Sequence, residues 1–198
     1  MIHIKRINEF ATPILEKRSL EEVVKYDDPA VNSLWNYVSG YTVGGINKDL
    51  RSGMMSRQLK EIVGRIDSLM EMESVKVYRT VDWDYMGNIY GITKDNIDEV
   101  IGRTFTAKGY TSTTRLFENV WGSSWTPETD LCMEITSKGK IGCIDVNSIL
   151  PPEDIDCEEQ EEVLIQRNLN FAINGYELID NRDGIEGGDI HFLKVSVW

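Results

Sequence analysis

The chain has 198 residues, with 33 Asp and Glu against 21 Lys and Arg, for a formal net charge of -12. That balance disfavours a broad surface for nucleic acid or anionic membrane, because such surfaces neutralise phosphates with cations. Hydrophobic residues at 41%, with five Trp, eight Tyr and five Phe, exclude a disordered acidic tail and suffice for one domain with a sizeable core.

In chain order, ATPILEKRSLEEVVKYDD sets Ile14, Leu15, Leu20, Val23 and Val24 at near-helical spacing and predicts a first helix. Asp28-Pro29 then offers an N-cap and a proline at the first helical position, opening a second helix over PAVNSLWNYV. A third follows the glycines of YTVGG, covers INKDLR and stops near Gly53. SRQLKEIVGRIDSLMEME places Leu59, Ile62, Val63, Ile66, Leu69 and Met70 on one face and predicts an amphipathic helix whose stripe is core.

From residue 75 the pattern turns to strands. VKVYRTV alternates and is β-branched, GRTFTAKGYTSTT reads as one strand-like run, and ITKDNIDEVI as a short helix between them. LCMEITSKGKIGCIDV predicts two strands around a Ser-Lys-Gly-Lys turn, EEVLIQR a further strand, and NFAINGYELIDN and DIHFLKVSVW a last pair joined by RDGIEGG. Helices first and strands afterwards predict a single α+β domain over 1–198, mainly helical to 74 and mainly β from 75.

Three cysteines, Cys132, Cys143 and Cys157, have no CxxC spacing and are odd in number, which excludes a full disulfide framework and fits a reducing compartment. His3 and His191 are the only histidines, so neither a zinc site nor a His-based triad is expected. The N-terminus is broken by charges before any apolar run long enough for a signal peptide, and no stretch reaches the roughly 18–20 apolar residues of a membrane span.

Three segments invite a chemical reading. Arg79 sits within an otherwise apolar strand and needs a partner for a charge it does not shed. Thr111-Ser112-Thr113-Thr114 line up four hydroxyls on a strand. The acidic run Glu158-Glu159-Gln160-Glu161-Glu162 leads into a strand, and its carboxylates must be solvated or paired. Taken singly, these read as a salt-bridged arginine, ordinary β propensity and a solvated acidic loop.

Taken in order, Arg on one strand, Ser-Thr-Thr on the next and Gln-x-Glu opening a later one resemble the R-S-E class of mono-ADP-ribosyltransferases. The chain is similar to the clostridial Rho-modifying exoenzymes and the catalytic components of actin-modifying binary toxins. YTVGGINKDLRSG resembles their Y-T…I-N-x-x-L-R helix, and EEVLIQRNLNF their E-V-L-L-P-R-x-x-x-F continuation. The resemblance runs from Tyr41 to about Phe171. It implies an N-terminal helical layer packed on two mixed or antiparallel sheets, with a cleft between them for NAD as co-substrate and no metal.

The resemblance also implies roles. Arg79 would hold NAD phosphates, a task suited to a bidentate, permanently charged donor. Asn47 and Arg51 would contact the adenosine-diphosphate portion, with Tyr41 and Thr113 also in the binding set. Ser112 would orient the catalytic carboxylate, with Thr114 replacing the family's final Ser. Glu162 would bind the nicotinamide ribose and face the positive charge that develops there, as in glycoside cleavage. Gln160 occupies the position that bears on the acceptor, where Gln accompanies Asn modification and Glu accompanies Arg modification.

Alternation alone leaves the register open between Gln160/Glu162 and Glu159/Glu161. The loop NSILPPEDIDCEE lacks the Phe or Tyr with which many relatives grip a target, so acceptor identity does not carry over; the acidity points to a basic partner surface. Trp121 and Trp125 lie where relatives have a mobile loop, and core indoles are the equal alternative. The resulting expectation is a monomeric transferase of ADP-ribose to a protein Asn or Gln, acting in the cytoplasm of a host or target cell as a bacteriophage protein or delivered effector. The alternatives are NAD glycohydrolysis and a catalytically silent protein-binding module of the same fold.

Overall fold

Asp28 caps the first regular element among the described residues: its carboxylate accepts from Ala30 N at 2.7 Å and Val31 N at 3.3 Å, and Pro29 fills the first helical position, opening α1 (Pro29–Val38). The computed structural model describes residues 20–117, 131–154, 161–179 and 190–198. α2 (Val43–Ser52) ends on Gly53 in the left-handed conformation, φ +77°. α3 (Arg57–Asp67) is capped by Ser56 and buries Leu59, Ile62, Val63 and Ile66.

The helix expected upstream of α1 is absent from its described part. Residues 20–26 carry no regular structure, because side chains of α1 take up their backbone groups: Asn36 exchanges two 2.8 Å bonds with Val23, and Asn32 Oδ1 accepts from Lys25 N and Tyr26 N. The last turn expected of α3 is instead β1 (Glu71–Glu73), which pairs with β6 (Ile141–Asp145).

The remaining strands are β2 (Lys76–Val81), β3 (Thr104–Ala107), β4 (Thr111–Thr114), β5 (Leu131–Ser137), β7 (Glu162–Ile165), β8 (Leu169–Ile179) and β9 (Ile190–Val197). They form one mixed sheet in the order β1-β6-β7-β4-β2-β5-β9-β8-β3. The two sheets expected from sequence are its two wings, joined through one Cα pair, Tyr78 with Thr114.

Two expectations about strands change. The run 102–114 is two strands on different wings, because Asn47 and Asn168 bind the chain between and beside them: Tyr110 N donates to Asn47 Oδ1 at 3.0 Å and Asn168 N to Ala107 O at 2.7 Å. β5 and β6 do not pair across the Ser-Lys-Gly-Lys turn, since β5 lies between β2 and β9, and β6 between β1 and β7. The short helix expected over residues 92–101 is present as a 3-10 helix over Lys94–Glu99. An unanticipated α4 (Trp83–Tyr90) follows β2.

Two apolar clusters divide the core. Leu34, Ile46, Leu59 and Ile62 of the helices meet Ile144 and Leu164 on one face of the β6–β7 wing. Val163 and Ile165, from the other face, join Val77, Met133, Phe171 and Met86 of α4. β7 is therefore buried along its whole length, the acidic residue at its head included.

Candidate active site

Arg79 leaves β2 on the side of Val77 and Val81 and enters a solvent-open cleft of about 470 Å³. Arg51, from the last turn of α2, lines the same cleft, and its guanidinium lies 5.7 Å from the Tyr85 ring centroid. The wall is aromatic: Tyr85 meets Tyr90 edge-on at 5.8 Å, Tyr90 meets Phe105 at 4.1 Å, and Phe105 stacks on Phe171 at 5.3 Å. Among the described lining residues there are two cations and no carboxylate. Such a cleft favours an anion with planar groups attached.

Ser112, Thr114 and Glu162 occupy the other face of the sheet. Thr114 pairs with Glu162 and Ser112 with Leu164 across β4–β7, and paired residues share a face. Arg115 N donates to Glu161 O at 3.1 Å, so the Thr114–Glu162 pair is the narrow, non-hydrogen-bonded kind in which side chains lie closest. Glu162 is only 4% exposed. The two groups meet through Arg79, whose Nη1 donates to the Ser112 carbonyl at 3.0 Å.

The other predicted residues fall variously. Thr113 is buried, and its hydroxyl donates to Val163 O at 2.6 Å, tying β4 to β7. Asn47, 1% exposed, donates to Tyr37 OH at 2.7 Å and accepts from Tyr110 N, which sets it beneath the Gly109-Tyr110 rim of the cleft. Tyr41 is 52% exposed, packs on Trp35 at 5.4 Å and does not line the cleft. Glu161 is exposed and left-handed, φ +44°, which turns the chain into β7. Gln160, Glu159, Cys157, Trp121 and Trp125 lie outside the described residues.

Burial raises the pKa of the Tyr90 hydroxyl, as does its bond with Tyr85, against the opposing charges of Arg79 and Arg51. It therefore stays protonated beside the two guanidiniums and serves as a neutral wall. Sequence reasoning passed over α4 and its two tyrosines. Their signal was punctuation: Asp82 caps Asp84 N and Tyr85 N, and Gly91 closes the helix at φ +66°.

The family model for the ADP-ribosyltransferase exoenzymes matches residues 17–189. No curated protein matches the chain by sequence. Among solved structures, Plx2a, an ADP-ribosyltransferase toxin from Paenibacillus larvae, is 18% identical with a TM-score of 0.64 over 85% of both chains. C3stau2 from S. aureus, solved with NAD, is 20% identical with a TM-score of 0.64 over 88% of both. BECa, an ADP-ribosylating toxin of a C. perfringens binary enterotoxin solved with NADH, is 17% identical with a TM-score of 0.67, over 86% of this chain and 43% of that one. At these identities the likeness to the solved structures is one of fold.

Proposed function

The chain belongs to the ADP-ribosyltransferase exoenzyme family and is an NAD-dependent mono-ADP-ribosyltransferase, and we propose that it transfers ADP-ribose to a protein Asn or Gln with release of nicotinamide. One observation carries the assignment of the site: beside Arg51, Arg79 lines a cleft with no carboxylate among its described lining residues, and it holds the Ser112 carbonyl of the strand that pairs with Glu162.

The residues present fit a dinucleotide. Arg51 and Arg79 supply charge-assisted donors for its phosphates, and Tyr85, Tyr90 and Phe105 supply apolar surface for its rings. When bound, NAD supplies the glycosidic bond between nicotinamide and ribose.

Each residue's part follows from its setting. Glu162 opposes the positive charge that grows on the sugar, and its burial away from water strengthens that interaction. Ser112 shares the face of Glu162 two residues along β4, within reach of a carboxylate on a diagonal neighbour. Asn47 acts from below by fixing Gly109 and Tyr110 at the cleft rim. Gln160 bears on the acceptor, and the net charge of -12 favours a basic acceptor surface.

The test is nicotinamide release from NAD with bacterial and eukaryotic lysates, following ADP-ribose on protein by mass spectrometry. Release that depends on Glu162, with a labelled Asn or Gln, is expected in the cytoplasmic fraction of a host or target cell. Release without any labelled protein would make the chain an NAD glycohydrolase, and a labelled Arg would remove Gln160 from the choice of acceptor.

A further inference from the structure

The head of β7 has a geometric problem that one side chain solves. Thr114–Glu162 is the non-hydrogen-bonded kind of pair, so the Glu162 N–H points away from β4 and towards β6. On that side Gln166 N donates to Gly142 O at 3.0 Å, and the register runs Cys143 with Ile165, Ile144 with Leu164 and Asp145 with Val163. Continued by one residue, the ladder would offer Val146 O to Glu162 N. β6 has ended there: Val146–Ile149 turns into a single helical turn, α5, and Val146 O accepts from Leu150 N at 2.9 Å.

Asn147 takes the place of the missing strand. Its Oδ1 accepts from Glu162 N at 2.9 Å, with Asn147 itself fixed on a turn that Ser148 closes by donating to Asp145 O at 2.8 Å. From the other side, Arg115 N holds Glu161 O. The backbone carrying Glu162 is thus gripped on both edges just where it emerges from a left-handed residue.

We propose that Asn147 is a positioning residue for the reaction, fixing the main chain of Glu162 and so the direction of its carboxylate; this rests on the reading of Glu162 as the reacting carboxylate. A buried N–H deprived of its acceptor seeks another, and the head of the strand shifts with it. Glu162 and its neighbour Thr114 then separate, while the cleft of Arg51, Arg79 and α4 is untouched. Turnover depends on that alignment and NAD binding does not.

The experiment measures kcat for nicotinamide release, NAD Kd by calorimetry and thermal melting for Asn147→Ala, Asn147→Asp and, in parallel, Glu162→Gln. Asn147→Ala is expected to lose roughly 100-fold in kcat, the scale of a small misplacement of a reacting group, with NAD Kd unchanged. Asn147→Asp keeps the acceptor oxygen on the same stem and restores most of the rate at a pH where both carboxylates are ionised. A folded Asn147→Ala with wild-type kcat, or one whose loss lies wholly in Kd, overturns the proposal. Should Asn147→Ala not fold, Asn147→Gln moves the acceptor one methylene outward, and a retained kcat there overturns it equally. Glu162→Gln separates the two failures: if that variant turns over normally, it is the reading of Glu162 that has failed.

Discussion

Arg79 donates to the Ser112 carbonyl at 3.0 Å across the single pair that joins the two wings of the sheet. One guanidinium therefore ties the sheet junction and also lines the cleft it shares with Arg51. Lysine has the charge without the fork. Arg79→Lys is expected to weaken NAD binding by about tenfold or more, about 1.4 kcal/mol, read by calorimetry. Undiminished affinity would show that charge alone suffices in the cleft.

Arg51 makes the second half of the anion site, reaching in from the last turn of α2. Because it is partly exposed, its contribution is screened by salt. Arg51→Gln should raise NAD Kd and flatten the dependence of binding on ionic strength relative to wild type. A variant with the same salt slope would place Arg51 outside the phosphate contacts.

The register of the acidic run has a direct test. Glu162 is buried at the head of β7, whereas Glu161 is exposed and left-handed. Glu162→Gln is expected to lower kcat by roughly 100- to 1000-fold while NAD affinity is kept, the pattern of lost transition-state stabilisation. Glu161→Gln is expected to keep its rate. The reverse result would move the active carboxylate to the Glu159/Glu161 register.

How far these residues were legible in the sequence follows from the range of the interactions that place them. The caps at Asp28 and Gly53 and the stripe of α3 are local signals, and α1, α2 and α3 follow them closely. The segment 20–26 kept a helical spacing yet forms no helix, because Asn32 and Asn36 compete for its backbone, a contact that periodicity does not encode. The division of 102–114 into β3 and β4 also depends on a distant residue, Asn47. Motif order marked Arg79, Ser112 and Glu162, but it did not show that Arg79 and Glu162 leave opposite faces of the sheet. Nor did it mark Asn147, whose role exists only because β6 stops one residue short of Glu162.

Asn47 and Gly109 form a second coupled pair. A Cβ on Gly109 would lie 2.5 Å from Asn47 Oδ1 and 2.9 Å from Cγ, and that amide is held by Tyr37 and Tyr110 and cannot swing aside cheaply. Gly109→Ala is expected to cost about 1–3 kcal/mol in chemical unfolding. Asn47→Ala is expected to cost a similar amount, by taking the acceptor from the buried Tyr110 N and a donor from Tyr37 OH. The double variant should be less unstable than the sum, since the clash and the bonds share one side chain; strict additivity would show that Gly109 is held by something else.

Alkaline pH should unfold the protein earlier than its carboxylates and ordinary lysines would suggest. Burial, and then the neighbouring charge of Glu73, push the Cys143 thiol up from its usual 9.0 to about 11. Burial first and Asp67 second likewise raise Tyr110, and burial with Tyr85 raises Tyr90. In each case the folded state holds its proton more tightly than the unfolded chain does. Their contribution is therefore fully present below the unfolded pKa and is lost as pH rises towards the folded one. The unfolding free energy, measured in urea from about pH 8 upward, is expected to fall steadily between the usual and the raised thiol values. Cys143→Ala should make that decline shallower whatever it does to stability at neutral pH, and an unchanged slope would assign the decline to the tyrosines alone.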